Sequence, residues 1–141
     1  MKIINHNTLI KNVIDHPYEN THLYGQKLDY VAKVNFFYFS EDKKVCIGYW
    51  EAPEGWFDFS LNDFDEIDYI IEGELEIISN GETFKVKTGD CVLLKNGDKV
   101  RFNVKKLLKV IFFIYPVTKE VADLIGSFKK NDQIKHPLRP N

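Results

Sequence analysis

The stretch FDFSLNDFDEIDYIIEGELEI, residues 57–77, has the pattern of two short β-strands joined by a turn. Its second half contains Tyr69-Ile70-Ile71 and a glycine, followed by alternating apolar and charged residues, which is typical of a core strand. Its first half is unusually acidic, with five Asp or Glu between Asp58 and Asp68. So many acidic side chains are unusual at the start of a core strand. Their role bears directly on the function of the protein.

The charge of the chain is unevenly placed. Residues 45–84 hold eleven acids and no Lys or Arg, and residues 85–109 hold eight Lys or Arg against two acids. The two segments are expected to form facing strands whose exposed side chains pair across the sheet; the alternative is an acidic or basic lip on a pocket. The net charge is only -2, so nothing in the charge indicates nucleic acid or an anionic membrane as the main partner, and neither is expected.

Length and composition indicate one globular domain, since the chain has 141 residues, of which 44% are hydrophobic. The two cysteines, Cys46 and Cys91, are too few for a disulfide framework and lack zinc-site spacing, so both are expected to be small buried hydrophobic residues. The first ten residues, MKIINHNTLI, lack the apolar segment of a signal peptide, and no run approaches the roughly 18 apolar residues of a membrane span. A cytoplasmic location is the resulting expectation.

Strand patterns fill the middle of the chain. Glycine turns separate them, among them Asn80-Gly81, the strongest hairpin signal because both turn residues need positive φ. The sequence therefore predicts an all-β barrel or double-sheet roll. Eight or nine short strands are expected, at residues 30–39, 44–51, 55–62, 66–73, 74–79, 82–86, 91–94, 99–104 and 108–115.

The flanking segments are expected to be helical or irregular. Residues 1–29 are predicted to form a short helix and an irregular arm, and the barrel covers residues 30–116. Thr118 has the character of an N-cap for a C-terminal helix within residues 117–130, and residues 131–141 form a tail. The N-terminal helix is predicted from four apolar residues at helical spacing, Leu9, Ile10, Val13 and Ile14.

Two segments resemble the two sequence motifs of the cupin family. One is EIDYIIEG, in which Glu66 and Gly73 have the Glu-x6-Gly spacing that ends the first motif. The other is GDCVLLKNGDKVRF, in which Gly89 and Gly97 match the second motif, with Lys95 in the position of its proline. The resemblance implies a cupin jelly-roll barrel, or double-stranded β-helix, here with a short N-terminal helix and a C-terminal helix. It says little about function, because cupins host many chemistries on one fold.

Typical cupins bind a divalent metal through a His-x-His pair, the glutamate of the first motif and a histidine in the second. Here the His-x-His positions hold Ser60 and Asn62, or Phe59 and Leu61, and the second-motif position falls on Val100. One carboxylate, Glu66, does not replace the imidazoles that hold Fe, Mn, Ni or Zn, so we expect no transition metal and no dioxygenase chemistry. The histidines of the chain all lie outside the expected barrel: His6, His16, His22 and His136.

Two further stretches, DEIDYIIEGELEI at residues 65–77 and VIFFIYPVT at residues 110–118, resemble the EutQ branch of the cupins, which also lacks the histidine triad. EutQ proteins belong to the ethanolamine catabolic system of bacterial microcompartments, and an acetate kinase activity is attributed to the group. The resemblance thus implies a role in ethanolamine metabolism, association with a microcompartment, and phosphoryl transfer of the acetate kinase type.

Strand alternation sorts the acids into faces. If Glu66 points into the barrel, as the cupin motif implies, Asp68 does too. In the preceding strand the polar even-numbered set is assigned inward, because it includes a candidate His-x-His position. The expected catalytic residues are therefore Glu66, Asp68 and Asp58, and the expected substrate-binding residues are Trp56, Ser60, Asn62, Val100 and Phe102.

The two inward carboxylates, Glu66 and Asp68, lie about 7 Å apart along a strand. Buried together they raise each other's proton affinity, which suits general acid/base chemistry. One alternative is that the pair forms hydrogen bonds with the backbone or with Asn62, Ser60 and tyrosines and simply binds a polar ligand. The other is coordination of Mg²⁺ or Ca²⁺. Phosphoryl transfer would need Mg²⁺ and a phosphate site such as Lys95, Lys99 and Arg101, bases that are more typical of a solvated face.

The expected protein is thus a cupin without metal-binding histidines that binds a small polar molecule in a carboxylate-lined pocket. Mg²⁺ is needed only if it transfers phosphoryl groups. Two other classes stay open: a non-enzymatic small-molecule sensor or assembly protein, and an isomerase or lyase that works by carboxylate proton transfer. A homodimer is expected because cupins commonly form one and strand edges need covering.

Overall fold

The computed structural model describes residues 1–21, 27–123 and 125 of the chain. Residues 119–123 are helical, and strands dominate the rest, which confirms the expected all-β class. The elements in chain order are α1 (His6–Lys11), β1 (Ile14–Thr21), β2 (Lys27–Phe39), β3 (Cys46–Ala52), β4 (Gly55–Ser60), β5 (Asp65–Ser79), β6 (Glu82–Lys87), β7 (Cys91–Leu94) and β8 (Lys99–Tyr115).

The strands form two antiparallel layers that share β5 and β8. The C-terminal part of β8 pairs with β3 and its N-terminal part with β4. The N-terminal part of β5 pairs with β7 and its C-terminal part with β6. The first layer therefore has the order β1-β2-β3-β8-β5-β7, and the second has the order β4-β8-β5-β6.

Aromatic side chains join the two layers in the core. Trp50 of the first layer lies with its ring centroid 5.5 Å from that of Phe57 and 6.0 Å from that of Phe102, both in the second layer. All three are buried. Their burial is the main stabilising contribution here, because each large aromatic side chain removes a large apolar area from water.

A bend in β5 lets this strand cross from one layer to the other. The register with β8 shifts between Ile70 and Leu75, and Gly73 lies in the middle of the shift with φ +104. A Cβ at this position would lie 2.3 Å from the carbonyl oxygen of Leu107. Only glycine fits this bend, so the glycine of the first cupin-like motif has a structural cause.

Asp63 and Asp65 of the opening stretch hold a turn together, the first through its backbone and the second through its carboxylate. Asp63 has φ +67, and its backbone N–H donates to Oδ1 of Asn96 over 2.8 Å. The N–H of Asn96 in turn donates to Oδ1 of Asp65 over 2.7 Å. These bonds clamp the β4–β5 turn to the β7–β8 turn, so Asp63 and Asp65 act in the scaffold.

The expectation of an irregular arm after the helix within residues 1–29 is wrong for residues 14–21, which form β1. This strand pairs with β2 from Ile14 opposite Val34 onward. Its position at the edge of the layer explains how it contains Pro17, since an edge strand has one side whose N–H groups need no partner. Helix α1 ends at Lys11, so Val13 and Ile14 lie beyond it.

The two cysteines differ in burial. Cys46 is buried as expected, whereas Cys91 is exposed. The cause is alternation along β7, which turns Leu94 inward and Cys91 and Leu93 outward.

The C-terminal helix is described only in part. Oγ1 of Thr118 accepts a hydrogen bond from the N–H of Val121, and Val121 and Ile125 are buried against the core. The remainder of the helix expected within 117–130, and the tail at 131–141, lie outside the described residues. None of the helices in the described ranges has the length and apolar character needed to cross a membrane.

We predict that Gly73→Ala destabilises the fold far more than Gly97→Ala. Both glycines have positive φ, but a Cβ at Gly97 meets nothing within 4 Å. Gly97→Ala should therefore cost about 1 kcal/mol of unfolding free energy from backbone strain alone, and Gly73→Ala at least about 2 kcal/mol more because backbone atoms must move. Urea denaturation of both variants measures the difference, and equal losses would contradict the close approach at Gly73.

Candidate functional site

Strand alternation along β5 turns Glu66 and Asp68 toward the interior. Asp68 is only 2% exposed, and Glu66 is partly exposed where it borders a cavity between the layers. The neighbouring residues Ile67 and Tyr69 point the other way and are exposed. The acids of the opening stretch thus have separate positions, and this pair is the one that enters the core.

The cavity has a volume of about 70 Å³, several times what a single water molecule needs. Aromatic rings supply most of its wall: Tyr18, Phe36, Trp50, Phe57, Phe59, Phe64, Phe102 and Phe112. The other lining residues are His16, Val34, Glu66, Asp68, Ile114 and Val121. The cavity is therefore an apolar, aromatic chamber with two carboxyl groups on one side.

The pKa values of both carboxyl groups are raised. Burial raises the pKa of Glu66 well above its usual range, and the nearby charge of Asp68 raises it further. Burial also raises the pKa of Asp68, to about 6, although interaction with the neighbouring Glu66 carboxyl group lowers it in part. Because each carboxyl group alters the proton affinity of the other, the two groups titrate as a pair.

Two buried polar groups of the cavity residues lack hydrogen-bond partners within the described part of the chain. They are the carboxylate of Asp68, with both of its oxygens, and the indole N–H of Trp50. A buried polar group without a partner costs free energy that a ligand or water inside the cavity can recover. The site therefore offers unused acceptors and an unused donor.

Strand β1 contributes two residues to the cavity, His16 and Tyr18. From the sequence, His16 is expected outside the barrel and Tyr18 is not considered. The imidazole of His16 stacks on the ring of Tyr18 with 4.3 Å between centroids, and burial lowers the pKa of His16 to about 4. Burial, followed by the charges of Glu66 and Asp68, raises the pKa of Tyr18 well above its usual range. The signal that could have found them is the alternation Ile14, His16, Tyr18.

The inward assignment of the even-numbered residues of β4 is wrong. The structure turns Phe57 and Phe59 inward, and it places Trp56, Asp58 and Ser60 on the outer face, with exposed Asn62 following them. The physical reason is that burying the purely apolar odd-numbered set gains hydrophobic free energy, whereas burying the polar set would cost it.

The outer face of β4 instead holds an ion pair. Arg101 donates to both oxygens of Asp58, over 2.7 and 3.1 Å, and its guanidinium lies 4.0 Å from the centre of the Trp56 ring. The carboxylate of Asp58 raises the pKa of Arg101. This cluster is scaffold on the surface of the second layer, away from the cavity residues.

The remaining expected site residues divide between the cavity and other places. Phe102 lines the cavity; Val100 is buried in the core without being among the described cavity residues. Lys95 and Lys99 are exposed, and no Lys or Arg is found among the described residues that line the cavity. The bases suggested for a phosphate site therefore do not meet the carboxyl pair here.

The site does not fit the metal centre typical of the fold. Of that ligand set only Glu66 is present, and His16, which enters the cavity from β1, is stacked on Tyr18. Within the residues that the structure describes, no three His, Cys, Asp or Glu side chains are grouped so that they could hold a metal ion. The absence of a transition metal stays a prediction.

Comparison with known proteins gives a family match. The family model for "Ethanolamine utilisation protein EutQ" matches residues 8–120. A curated relative, "Acetate kinase EutQ" of Clostridioides difficile (strain 630), is 34% identical over 92 residues, which are 65% of this chain and 58% of that protein. The chain thus spans less than two thirds of the length of this curated relative.

Solved structures support the fold. The EutQ protein of Clostridium difficile superposes with a TM-score of 0.56 and 32% identity, covering 62% of this chain and 69% of that one. The cupin domain of Schizosaccharomyces pombe Cnp3 superposes with a TM-score of 0.54 and 16% identity, covering 80% of this chain and 93% of that one. The cupin jelly roll expected from the two motifs is therefore confirmed.

The raised pKa values give a prediction for stability against pH. The folded protein holds the Asp68 proton more tightly than the unfolded chain does, so this carboxyl contributes stability at low pH that is lost as the pH rises through about 6. We predict that Asp68→Asn stabilises the protein at pH 8 by as much as about 3 kcal/mol and changes little at pH 4. Urea denaturation at both pH values measures this effect.

A control for this measurement is Glu74→Gln, which makes the same chemical change at an exposed position of the same strand. Its effect should be small and nearly independent of pH, because Glu74 forms only a surface ion pair with Lys106. An Asp68→Asn effect of equal size at pH 4 and pH 8 would contradict the raised pKa.

Proposed function

The chain belongs to the EutQ family, and from that premise we propose that it binds a small polar molecule in the Glu66–Asp68 cavity as part of ethanolamine utilisation. The observation that carries the proposal is the Asp68 carboxylate, which is buried in an aromatic chamber with no donor to either oxygen in the described residues. Such a group disfavours folding, and perturbed acids in clefts are typical of functional sites.

The same premise supports a location in the bacterial cytoplasm in association with a microcompartment. Both parts of this statement rest on the family and stand as proposals.

Acetate kinase activity is the second candidate function. It is supported by the printed name of the curated relative, with which this chain shares 34% identity over 92 residues. The cavity is poorly suited to it as described, because two carboxyl groups and no Lys or Arg repel phosphate groups unless Mg²⁺ intervenes. Binding without phosphoryl transfer is therefore the function that the geometry favours, and a sensor or a carboxylate acid/base isomerase are the other outcomes.

We predict that the purified chain, incubated with acetate, ATP and Mg²⁺, forms no acetyl phosphate above background. In a panel of small alcohols, amines and carboxylic acids, at least one compound should raise the melting temperature saturably, and Asp68→Asn should remove this shift. Acetyl phosphate production that Glu66→Gln abolishes would contradict the binding function and establish phosphoryl transfer in the cavity. Acetyl phosphate production that persists in both Glu66→Gln and Asp68→Asn would place a kinase site outside the cavity.

We also propose that the outer face of the first layer forms a homodimer. Ile67 lies opposite Leu93 on β7 and opposite Phe113 on β8, and all three are exposed. Tyr69 and Tyr115 extend this apolar face. A contiguous exposed apolar surface of this kind is typical of a protein interface, and one flat face can pair with its own copy across a twofold axis.

Phe113→Lys should convert the dimer to a monomer, because it places a charge in the middle of the apolar face. Sedimentation equilibrium of the wild-type chain and the variant measures the dissociation constant, which should rise at least about 10-fold. Phe84→Lys is the matched control, since Phe84 is also exposed but lies on β6 in the other layer. A wild-type chain that stays monomeric at all concentrations would contradict the proposal.

A further inference from the structure

The residues that line the cavity indicate the class of ligand. We infer that the cavity binds a small organic cation, a primary ammonium that also carries a hydroxyl group, with the ammonium on the Glu66–Asp68 pair and the carbon chain against the aromatic wall. This inference rests on the proposed binding function and specifies its ligand.

The first argument is charge. Glu66 and Asp68 are the only described cavity residues that carry a formal charge, because burial keeps His16 neutral above about pH 4. Above about pH 6 Asp68 is ionised and the pair carries negative charge, and no Lys or Arg among the described residues lines the cavity to balance it. A cationic ligand neutralises this charge, a neutral ligand leaves it unbalanced, and an anionic ligand is repelled.

The second argument is the aromatic wall. The rings of Trp50, Phe57 and Phe102 lie with centroids 5.1 to 6.0 Å apart, and Tyr18 packs 4.2 Å from Phe57. The electron-rich faces of such rings attract an ammonium group, most strongly where water is excluded. The same rings favour a short methylene chain through apolar contact.

The third argument is hydrogen bonding. Both oxygens of Asp68 need donors, and an ammonium group supplies three. The indole N–H of Trp50 needs an acceptor, and a hydroxyl oxygen on the ligand supplies one. A ligand with an ammonium group and a hydroxyl group therefore satisfies the unpartnered donor and the unpartnered acceptors that the two residues provide.

The titratable groups around the pair set the pH dependence. Those that face it are His16 and Tyr18 from β1 and Cys46 from β3, whose thiol has its pKa raised to about 12 by burial and by the charge of Glu66. All three are neutral between pH 5 and pH 8, so only the acid pair changes charge in this range. Cation affinity should therefore fall below about pH 6, where Asp68 becomes protonated.

The test uses three probes of nearly equal size: ethanolamine, ethylene glycol and glycolate, which differ in charge. The readout is the pair of indole N–H signals in a ¹H–¹⁵N spectrum of the full chain. Trp50 lines the cavity, whereas Trp56 packs on Arg101 outside it and serves as an internal control. Ethanolamine should shift the Trp50 signal saturably, leave Trp56 in place, and bind at least about 10-fold more tightly at pH 8 than ethylene glycol or glycolate.

Three variants complete the experiment. Asp68→Asn should weaken ethanolamine binding at least about 10-fold, since it removes the charge of the pair while keeping its shape. Glu66→Gln should weaken binding less, because the raised pKa of Glu66 favours its neutral form. Glu74→Gln, exposed on the same strand, should leave binding unchanged. The wild-type affinity should also fall on going from pH 8 to pH 5.

The outcomes separate the ligand class from the binding function. Saturable shifts of Trp50 by ethylene glycol or glycolate that equal or exceed those by ethanolamine would overturn the cation while leaving a binding cavity. Ethanolamine binding that survives Asp68→Asn, or that shifts Trp56 instead, would overturn the placement of the cation. If none of the three probes shifts the indole N–H signal of Trp50 at concentrations up to ~100 mM, both the cation and the binding function are overturned.

Discussion

The alternation of side chains along β5 is the constraint on which the rest of the structure depends. Successive residues of a strand must point to opposite faces, so Glu66 and Asp68 face the core while Ile67 and Tyr69 face outward. One strand therefore supplies both the acidic side of the cavity and the centre of the exposed apolar face. The bend at Gly73 then carries the same strand into the second layer, where it closes the core.

The acid pair sets a balance between stability and function. Burial in an apolar chamber raises the pKa of both carboxyl groups, and the fold tolerates them because protonation of one group relieves the repulsion between the two charges. An apolar pair at these positions would pack without that cost. The aromatic residues around them, in particular Trp50, Phe57 and Phe102, supply the burial that offsets it.

The sequence predicted the layered β-fold, the Asn80-Gly81 hairpin and the family well, because glycine spacing and strand alternation are local signals. It also predicted that Glu66 and Asp68 share one face. The face of β4 was wrong because resemblance to a histidine motif was given more weight than the apolar character of Phe57 and Phe59. The alternation Ile14, His16, Tyr18 is a local signal for β1, but it does not show that the strand joins the barrel, since that depends on the pairing of β1 with β2.

The coupling of Glu66 and Asp68 can be observed by titration of the side-chain carboxyl ¹³C signals, assigned with Glu66→Gln and Asp68→Asn. The structure predicts that the pair titrates in two steps, with at least one apparent pKa at about 6 or higher. Titration of both carboxyl groups in the ordinary range of exposed acids would show that the pair is hydrated and uncoupled, and would contradict the buried acidic cavity.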